Sequence, residues 1–128
     1  MAFMIVRPET AFALDPSDKS QRRIRDEQHL AFIRSLPSII SGLYGCEAAH
    51  VRYGDPRYRK KRTGRGQKPD DCWCVPLTPE EHRDQHAENE ALWWVKQGID
   101  PLAIAQRLYA VSGDEESSTT IILEARKR

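Results

Sequence analysis

The stretch from Cys46 to His86 constrains this 128-residue chain more than any other part of it. It holds a short apolar segment with a histidine, a loop of some 18 residues rich in cations, a second apolar segment, and two histidines four residues apart. Residue alternation predicts β-strands over Glu47–Tyr53, which carries His50, and over Cys72–Leu77. Because a helix start follows at once, the stretch predicts a strand, a loop, a strand and a helix.

The start of that helix is marked by its capping residues. Thr78 suits the N-cap, Pro79 the first helical position, and Glu81 completes a capping box. His82 and His86 are four residues apart, so both stand on one face of the helix, about 6 Å apart at Cβ, and can bind one divalent ion. Such pairs also occur on solvated helices without a ligand, but the preceding strands and a third histidine favour the metal interpretation.

A helix is also predicted upstream, over Asp15–Leu36, with Asp15 or Ser17 as its cap and Pro37 as its end. His29 lies inside it and is expected to be an exposed or packing histidine. Residues 1–14 are predicted to form an arm, residues 15–111 one domain with its core unit at 46–97, and residues 112–128 a polar tail. Within that tail, residues 119–123 are a candidate strand.

The helix that carries the two histidines is predicted to run to Gln97 and to stop at Gly98. Asp100 and Pro101 then open a second helix to Ala110. These helices and the upstream one are expected to share an apolar seam, in which the tryptophans are interpreted as core rather than as base-stacking residues. The seam residues are Trp93, Trp94, Leu102, Ala105 and Leu108.

The loop between the predicted strands is strongly basic, although the net charge of the chain is only +1. Eight Lys or Arg residues lie between positions 52 and 68 against the single carboxylate of Asp55. A loop this long is usually functional or disordered, and its charge favours contact with a phosphate backbone over a solvated insertion. The predicted DNA-binding residues are Arg52, Arg57, Arg59, Lys60, Lys61, Arg62, Arg65 and Lys68.

Composition excludes several other classes of protein. Hydrophobic residues make up 39% and charged residues 30%, as in soluble globular proteins. No apolar run approaches the roughly 20 residues that span a bilayer, and the first residues are too polar for a signal peptide, so we expect a cytoplasmic protein without a membrane partner. The odd number of cysteines, Cys46, Cys72 and Cys74, argues against a disulfide framework and leaves metal binding or plain burial.

The motifs AAHVR, PDD, VPL and EEHRDQH occur in the order strand, loop, strand and helix. This order resembles that of the HNH, or ββα-metal, endonucleases. With NEALWWVKQGIDPLAIAQRLY downstream and LAFIRSLP upstream, the chain is similar to the phage and prophage HNH proteins related to a recombination-enhancement nuclease. The resemblance covers roughly residues 26–111. It implies an α+β fold, in which a small ββα-metal motif with a two-stranded antiparallel hairpin packs against flanking helices.

The resemblance also implies roles for particular residues. His50 matches the general base, which takes a proton from the attacking water, while the metal binds a phosphate oxygen and stabilises the leaving oxygen. Asp71 matches the middle position of the motif, where a carboxylate holds the imidazole or joins the metal shell, and Asp70 is a competing neighbour. His82 and His86 match the metal ligands. DNA, duplex or single-stranded, is the implied substrate, and a recombination protein is a possible partner by analogy alone.

The chain departs from the family pattern around the metal. Ala49 stands where a ligand often precedes the base, and Ser38 and Ser41 replace the cysteines of a structural zinc knuckle. Cys46, Asp71 or waters must then complete the shell of the two histidines. Mg²⁺ or Mn²⁺ is expected to support cleavage, and Zn²⁺ or Ni²⁺ to occupy the site by ligand preference. A replacement zinc site of the three cysteines with a histidine is a further alternative to buried thiols.

The sequence therefore leaves three alternative functions. The first is a metal-dependent DNA endonuclease. The second is a DNA-binding module that keeps the scaffold and has lost catalysis, which the missing ligands motivate. The third is a nuclease or toxin directed at RNA, since the motif acts on the phosphodiester backbone.

Overall fold

A computed structural model describes residues 23–63 and 68–127 of the chain. The predicted arm over residues 1–14, the first part of the predicted N-terminal helix and Arg65 lie outside the described residues. The described part is α+β, with a two-stranded antiparallel sheet and five α-helices, which confirms the coarse fold class. Its elements are α1 (Glu27–Arg34), β1 (Glu47–His50), a 3₁₀ turn (Pro56–Tyr58), β2 (Cys74–Leu77), α2 (Pro79–Ala87), α3 (Glu90–Gln97), α4 (Pro101–Ala110) and α5 (Glu115–Arg126).

The hairpin of β1 and β2 lies at the centre of the fold, with His50 opposite Cys74 at the end that the basic loop connects. β1 ends three residues earlier than predicted, and β2 begins two residues later. Beyond His50 the amide of Val51 still donates to the carbonyl of Trp73 at 2.9 Å, and the amide of Arg52 then donates to the Glu90 carboxylate at 2.8 Å, which ties the chain to the start of α3. All four residues of β2 are buried, since helices α1, α2 and α4 pack against that strand.

Helix α1 begins at Glu27, so the predicted N-terminal helix is wrong over residues 23–26, which are not helical. Asp26 is the N-cap, and its side chain accepts the amide hydrogen of the residue three positions on, at 3.0 Å. The backbone of Ile24 is tied to the second half of the loop: its amide donates to Asp70 Oδ1 at 2.8 Å, and its carbonyl accepts from the Asp71 amide at 2.9 Å. These bonds hold the segment in a non-helical path.

The capping box predicted for α2 is confirmed. Thr78 is the N-cap, and the side chains of Thr78 and Glu81 each accept the other's backbone amide hydrogen. The single helix predicted to Gln97 is wrong, because the chain leaves the helical conformation at Glu88 and starts α3 with Asn89 as a second N-cap, which accepts a backbone amide hydrogen at 3.1 Å. Gly98 ends α3 as predicted, in the left-handed conformation that glycine adopts without strain (φ 69°).

The C-terminal part of the chain is more ordered than predicted. Helix α4 starts at the Asp100 cap as expected. The polar tail and the candidate strand at residues 119–123 are wrong, because residues 115–126 form α5, which packs against α4. Asp114 caps this helix, and Ile122 and Ala125 on one face are buried. Apolar residues at helical spacing therefore outweigh the polar composition of the segment.

The core contains the residues that the sequence predicted for it. Trp93 and Trp94 are both buried, which confirms them as core residues. His29 is fully buried as well: its Nδ1 lies 2.7 Å from Ser112 Oγ, and its ring meets that of Tyr109 edge to face. The expectation of a packing histidine is confirmed.

Candidate active site

His50, the last residue of β1, is held by a buried carboxylate. Its Nε2 lies 2.9 Å from Oδ1 of Asp71, whose side chain is 2% exposed. A carboxylate accepts, so this contact places the ring hydrogen on Nε2 and leaves the lone pair on Nδ1. Within residues 23–63 and 68–127, Nδ1 has no hydrogen-bond partner, and 21% of the side chain is exposed. The imidazole is therefore arranged to accept a proton at Nδ1 from a group in the solvent.

Two further groups hold Asp71 in place. Arg23 Nη1 donates to Oδ1 at 3.1 Å, and the amide of Asp26 donates to Oδ2 at 2.7 Å. Burial acts to raise the pKa of Asp71, but the hydrogen bonds from His50 and Asp26, together with the charges of His50 and Arg23, outweigh it and lower the pKa below its usual value. The carboxylate is therefore ionised at neutral pH and able to orient the imidazole.

The structure separates the two neighbouring acids that the sequence left open. Asp71 contacts His50, whereas Asp70 accepts the amide of Ile24 and anchors the segment before α1. Arg23 was missed in the sequence analysis, because 48 positions separate it from Asp71 and nothing local marks it.

The histidine pair, His82 and His86, lies on α2 with its ring nitrogens turned towards each other. The two Nε2 atoms are 3.1 Å apart. His82 Nδ1 lies 2.9 Å from Oε1 of Glu47 on β1, a contact that orients the ring and leaves Nε2 for another partner. Burial, His82 and Arg52 together lower the pKa of His86, so this imidazole stays neutral at physiological pH, as a metal ligand must.

The geometry of the histidine pair fits one divalent ion. Metal–imidazole bonds are about 2.0–2.1 Å long, so two nitrogens 3.1 Å apart correspond to an angle at the metal of about 100°, between the octahedral and tetrahedral values. The described residues contain no group of three or more His, Cys, Asp or Glu side chains that could hold a metal ion. The pair can therefore supply two ligands, and water or substrate oxygens must supply the others.

The structure does not bring Cys46 to the histidine pair as a third ligand. Its thiol donates to the carbonyl of Leu43 at 3.3 Å, and burial and the charge of Glu81 raise its pKa to about 11. Cys72 and Cys74 are also buried, and burial raises the pKa of each thiol. Because the part of the chain that the structure describes contains no group of three or more side chains that could hold a metal ion, the burial alternative fits all three cysteines better than a zinc site.

The basic loop is partly folded. Asp55 and Lys60 form an isolated β-bridge, and Arg57 pairs with the carboxylate of Asp55 at 2.7 Å. Lys60 is buried, and its ammonium donates to the carbonyl of Tyr53 at 2.9 Å. Lys60 is therefore not positioned for a phosphate contact, contrary to the prediction. The cations with exposed side chains on the described loop, apart from the paired Arg57, are Arg59, Lys61, Arg62 and Lys68, and Arg52 is half-buried.

Comparisons with protein-family models, with curated proteins and with solved structures found no match. No helix in the described part of the chain is long and apolar enough to cross a membrane. Function is therefore inferred from the two histidine sites and from the order of the motifs in the sequence.

Proposed function

We propose that this protein is a metal-dependent endonuclease of the HNH type that hydrolyses phosphodiester bonds in DNA. One observation carries the proposal: the hairpin ends in an imidazole oriented by a buried carboxylate, and the helix directly after the hairpin turns two imidazole nitrogens towards each other at 3.1 Å. A general base and a group of metal ligands are the two parts that metal-dependent hydrolysis of a phosphodiester uses.

In the proposed reaction, His50 accepts at Nδ1 the proton of the water that attacks the phosphorus. Asp71 keeps the opposite ring hydrogen in place and stabilises the positive charge that the imidazole gains. Arg23 keeps Asp71 ionised and oriented. A well-placed general base contributes about 10²–10⁴ in rate.

His82 and His86 would hold the divalent ion, and Glu47 would orient His82. When bound, the ion supplies positive charge to a phosphate oxygen and to the leaving oxygen. Two imidazoles from the chain leave room for water and substrate oxygens, which suits Mg²⁺ or Mn²⁺ in catalysis, whereas Zn²⁺ or Ni²⁺ binds imidazole more tightly.

The exposed cations of the basic loop would contact phosphates on either side of the cut. Arg59, Lys61, Arg62 and Lys68 are all exposed. Such contacts give affinity without sequence information and make binding sensitive to salt.

A second candidate is a DNA-binding module on the same scaffold without catalysis. The specific observation in its favour is that residues 23–63 and 68–127 contain no group of three or more side chains that could hold a metal ion, so the histidine pair offers two protein ligands. An ion held by two imidazoles binds more weakly than one held by three. A nuclease directed at RNA would use the same groups. Adding a competing RNA strand to the cleavage assay tests this alternative.

The deciding experiment is cleavage of supercoiled plasmid and of single-stranded circles with Mg²⁺, Mn²⁺, Zn²⁺ or EDTA. We expect metal-dependent nicking by the wild type and its loss in His50→Ala, while both proteins retard DNA equally in a gel. Asp70→Asn is the matched control, because Asp70 neighbours the site without touching His50. If neither protein cuts with any ion and both bind DNA in a salt-sensitive way, the binding module replaces the nuclease.

A further inference from the structure

A cleft of about 760 Å³ opens between the beginning of the basic loop and the start of α3. One wall carries Arg52, Tyr53, Arg62 and Thr63, and the other carries Asn89 and Glu90. Neither the general base nor the histidine pair lines it. The cleft is therefore a separate feature of the surface.

The walls of this cleft are held together by hydrogen bonds. The amide of Arg52 donates to Glu90 at 2.8 Å across the cleft, and the carbonyl of Arg52 accepts from the amide of Thr63 at 3.0 Å. Gly54 lets the two halves of the loop approach closely, since a Cβ there would lie 2.6 Å from the backbone nitrogen of Arg62. The cleft is thus formed before any ligand arrives, which lowers the entropic cost of binding.

The lining groups match the parts of a nucleotide. Arg62 brings a guanidinium group for phosphate, since it is exposed and makes no ion pair with any described residue. Tyr53 offers an aromatic ring, and Thr63 and Asn89 offer polar groups for a sugar or base edge. Single-strand-binding proteins combine the same elements, cations along the backbone and aromatic rings against bases.

The one acidic side chain in the lining does not oppose this ligand. The Glu90 carboxylate accepts the amide of Arg52. Burial raises the pKa of Glu90, which makes its charge less stable, while backbone hydrogen bonds and the charges of Lys60 and Arg52 act in the other direction. Its remaining negative charge is therefore balanced by cations within the wall.

The cleft adjoins the histidine pair. Asn89 and Glu90 in its wall follow His86 by three and four residues, and Arg52 follows His50 by two residues. A strand whose phosphate lies at the histidine pair can then continue past Arg52 into the cleft.

We propose that this cleft binds unpaired nucleotides of single-stranded DNA next to the site of cleavage. Its volume lies within the roughly 300–1,000 Å³ of pockets that enclose small ligands, which suits one or two nucleotides and excludes the body of a duplex. The position relative to cleavage rests on the proposed function, whereas the preference for a single strand rests on the cleft alone. Substrates with an unpaired segment are therefore favoured over continuous duplex.

The test is binding of a fluorescent 12-nucleotide single strand and of a blunt duplex of the same sequence, by anisotropy in EDTA. We expect the wild type to bind the single strand about tenfold more tightly. Arg62→Gln should lose about tenfold in single-strand affinity, because a charge-assisted contact to phosphate is removed, and little in duplex affinity. The matched control is Arg34→Gln, which removes the same charge from an exposed arginine at the end of α1 that does not line the cleft, and it should leave both affinities unchanged.

Tyr53→Leu supplies a second readout, with a strand in which 2-aminopurine replaces one base. Stacking on the Tyr53 ring should quench the fluorescence of 2-aminopurine, and the Leu variant should lose this quenching. Equal losses in the Arg62 and Arg34 variants, or tighter binding of the duplex, would overturn the inference. Because binding is measured without metal, the cleft can pass this test even if the protein never cuts. Conversely, efficient cutting of continuous duplex with no single-strand preference would overturn the cleft proposal and leave the nuclease intact.

Discussion

Replacing Asp71 by asparagine perturbs the candidate base without changing the size of a side chain. The carboxylate accepts from His50 Nε2, from Arg23 and from the Asp26 amide. An amide has one oxygen and one NH₂ group, so in either orientation the NH₂ faces a donor. If it faces Asp26, a buried hydrogen bond at 2.7 Å is lost. If it faces His50, the imidazole must move its hydrogen to Nδ1, and the lone pair needed for proton transfer disappears.

Both effects can be given a magnitude. Hydrogen bonds to charged groups contribute about 1.5–3 kcal/mol each, and the variant loses one of them and weakens the ion pair with Arg23, which is 28% exposed and can be rehydrated. We expect the free energy of unfolding to fall by about 2–4 kcal/mol. The cleavage rate should fall by about 10²–10⁴, the whole contribution of a general base.

Urea unfolding at pH 7, followed by the fluorescence of the buried tryptophans, measures the first effect, and plasmid nicking with Mn²⁺ at a temperature where the variant is folded measures the second. Asp70→Asn is the control: Asp70 is half-buried and accepts one amide hydrogen, so its NH₂ can face solvent and we expect a loss below about 1 kcal/mol with an unchanged rate. Nitrogen NMR of the wild type should show the His50 hydrogen on Nε2. Equal rates in the two variants, or a hydrogen on Nδ1 in the wild type, would refute the reasoning.

Three further predictions concern acid stability, a buried cation and metal binding. Because the pKa of Asp71 is lowered on folding, its contribution to stability is present above the unfolded pKa near 3.9 and is lost as the pH falls through the folded pKa. Urea midpoints should therefore fall more steeply below pH 4 for the wild type than for Asp71→Asn. Parallel curves for the two proteins would contradict this. Burial lowers the pKa of Lys60 to about 8, against the charges of Glu90 and Asp70. The buried ammonium of Lys60 then lowers the stability of the fold below pH 8 by on the order of 3 kcal/mol, and the stability should rise between pH 8 and 10. Lys60→Met should abolish that rise. A rise that persists in the variant would show that another group causes it. Zn²⁺ or Ni²⁺ at a hundredfold excess over its Kd should stabilise the wild type by about 2.7 kcal/mol in thermal unfolding. His82→Ala should lose this stabilisation, and Cys46→Ala should keep it. Loss of the stabilisation in the Cys46 variant would identify that thiol as a ligand.

The sequence was sufficient wherever a signal is local. The capping box at Thr78, the Asp100 cap and the glycine stop at Gly98 each depend on residues within one helical turn, and all three were predicted correctly. The strands were located correctly but predicted too long, since the alternation of residue types continues past His50, whereas Arg52 bonds to a carboxylate 38 positions away.

Local rules failed where two local signals compete or where packing decides. Residues 23–26 lie within an apolar pattern typical of a helix, yet their backbone is bonded to Asp70 and Asp71 instead. The polar composition of residues 115–126 predicted a tail, although Ile122 and Ala125 on one face suffice to dock a helix on α4. The sequence analysis predicted one helix to Gln97, whereas the chain starts a new helix with Asn89 as its N-cap.

The sequence by itself determined which residue types stand at the candidate site: His50, the acids before β2, and two histidines four positions apart on a helix. Only the tertiary structure decided which acid contacts His50, that Arg23 and Glu47 support the two histidine sites, and that Lys60 is buried rather than exposed to DNA. The physical reason is distance along the chain. Arg23 is 48 positions from Asp71, and Glu47 is 35 positions from His82, so these contacts exist only once the hairpin and the helices have packed together.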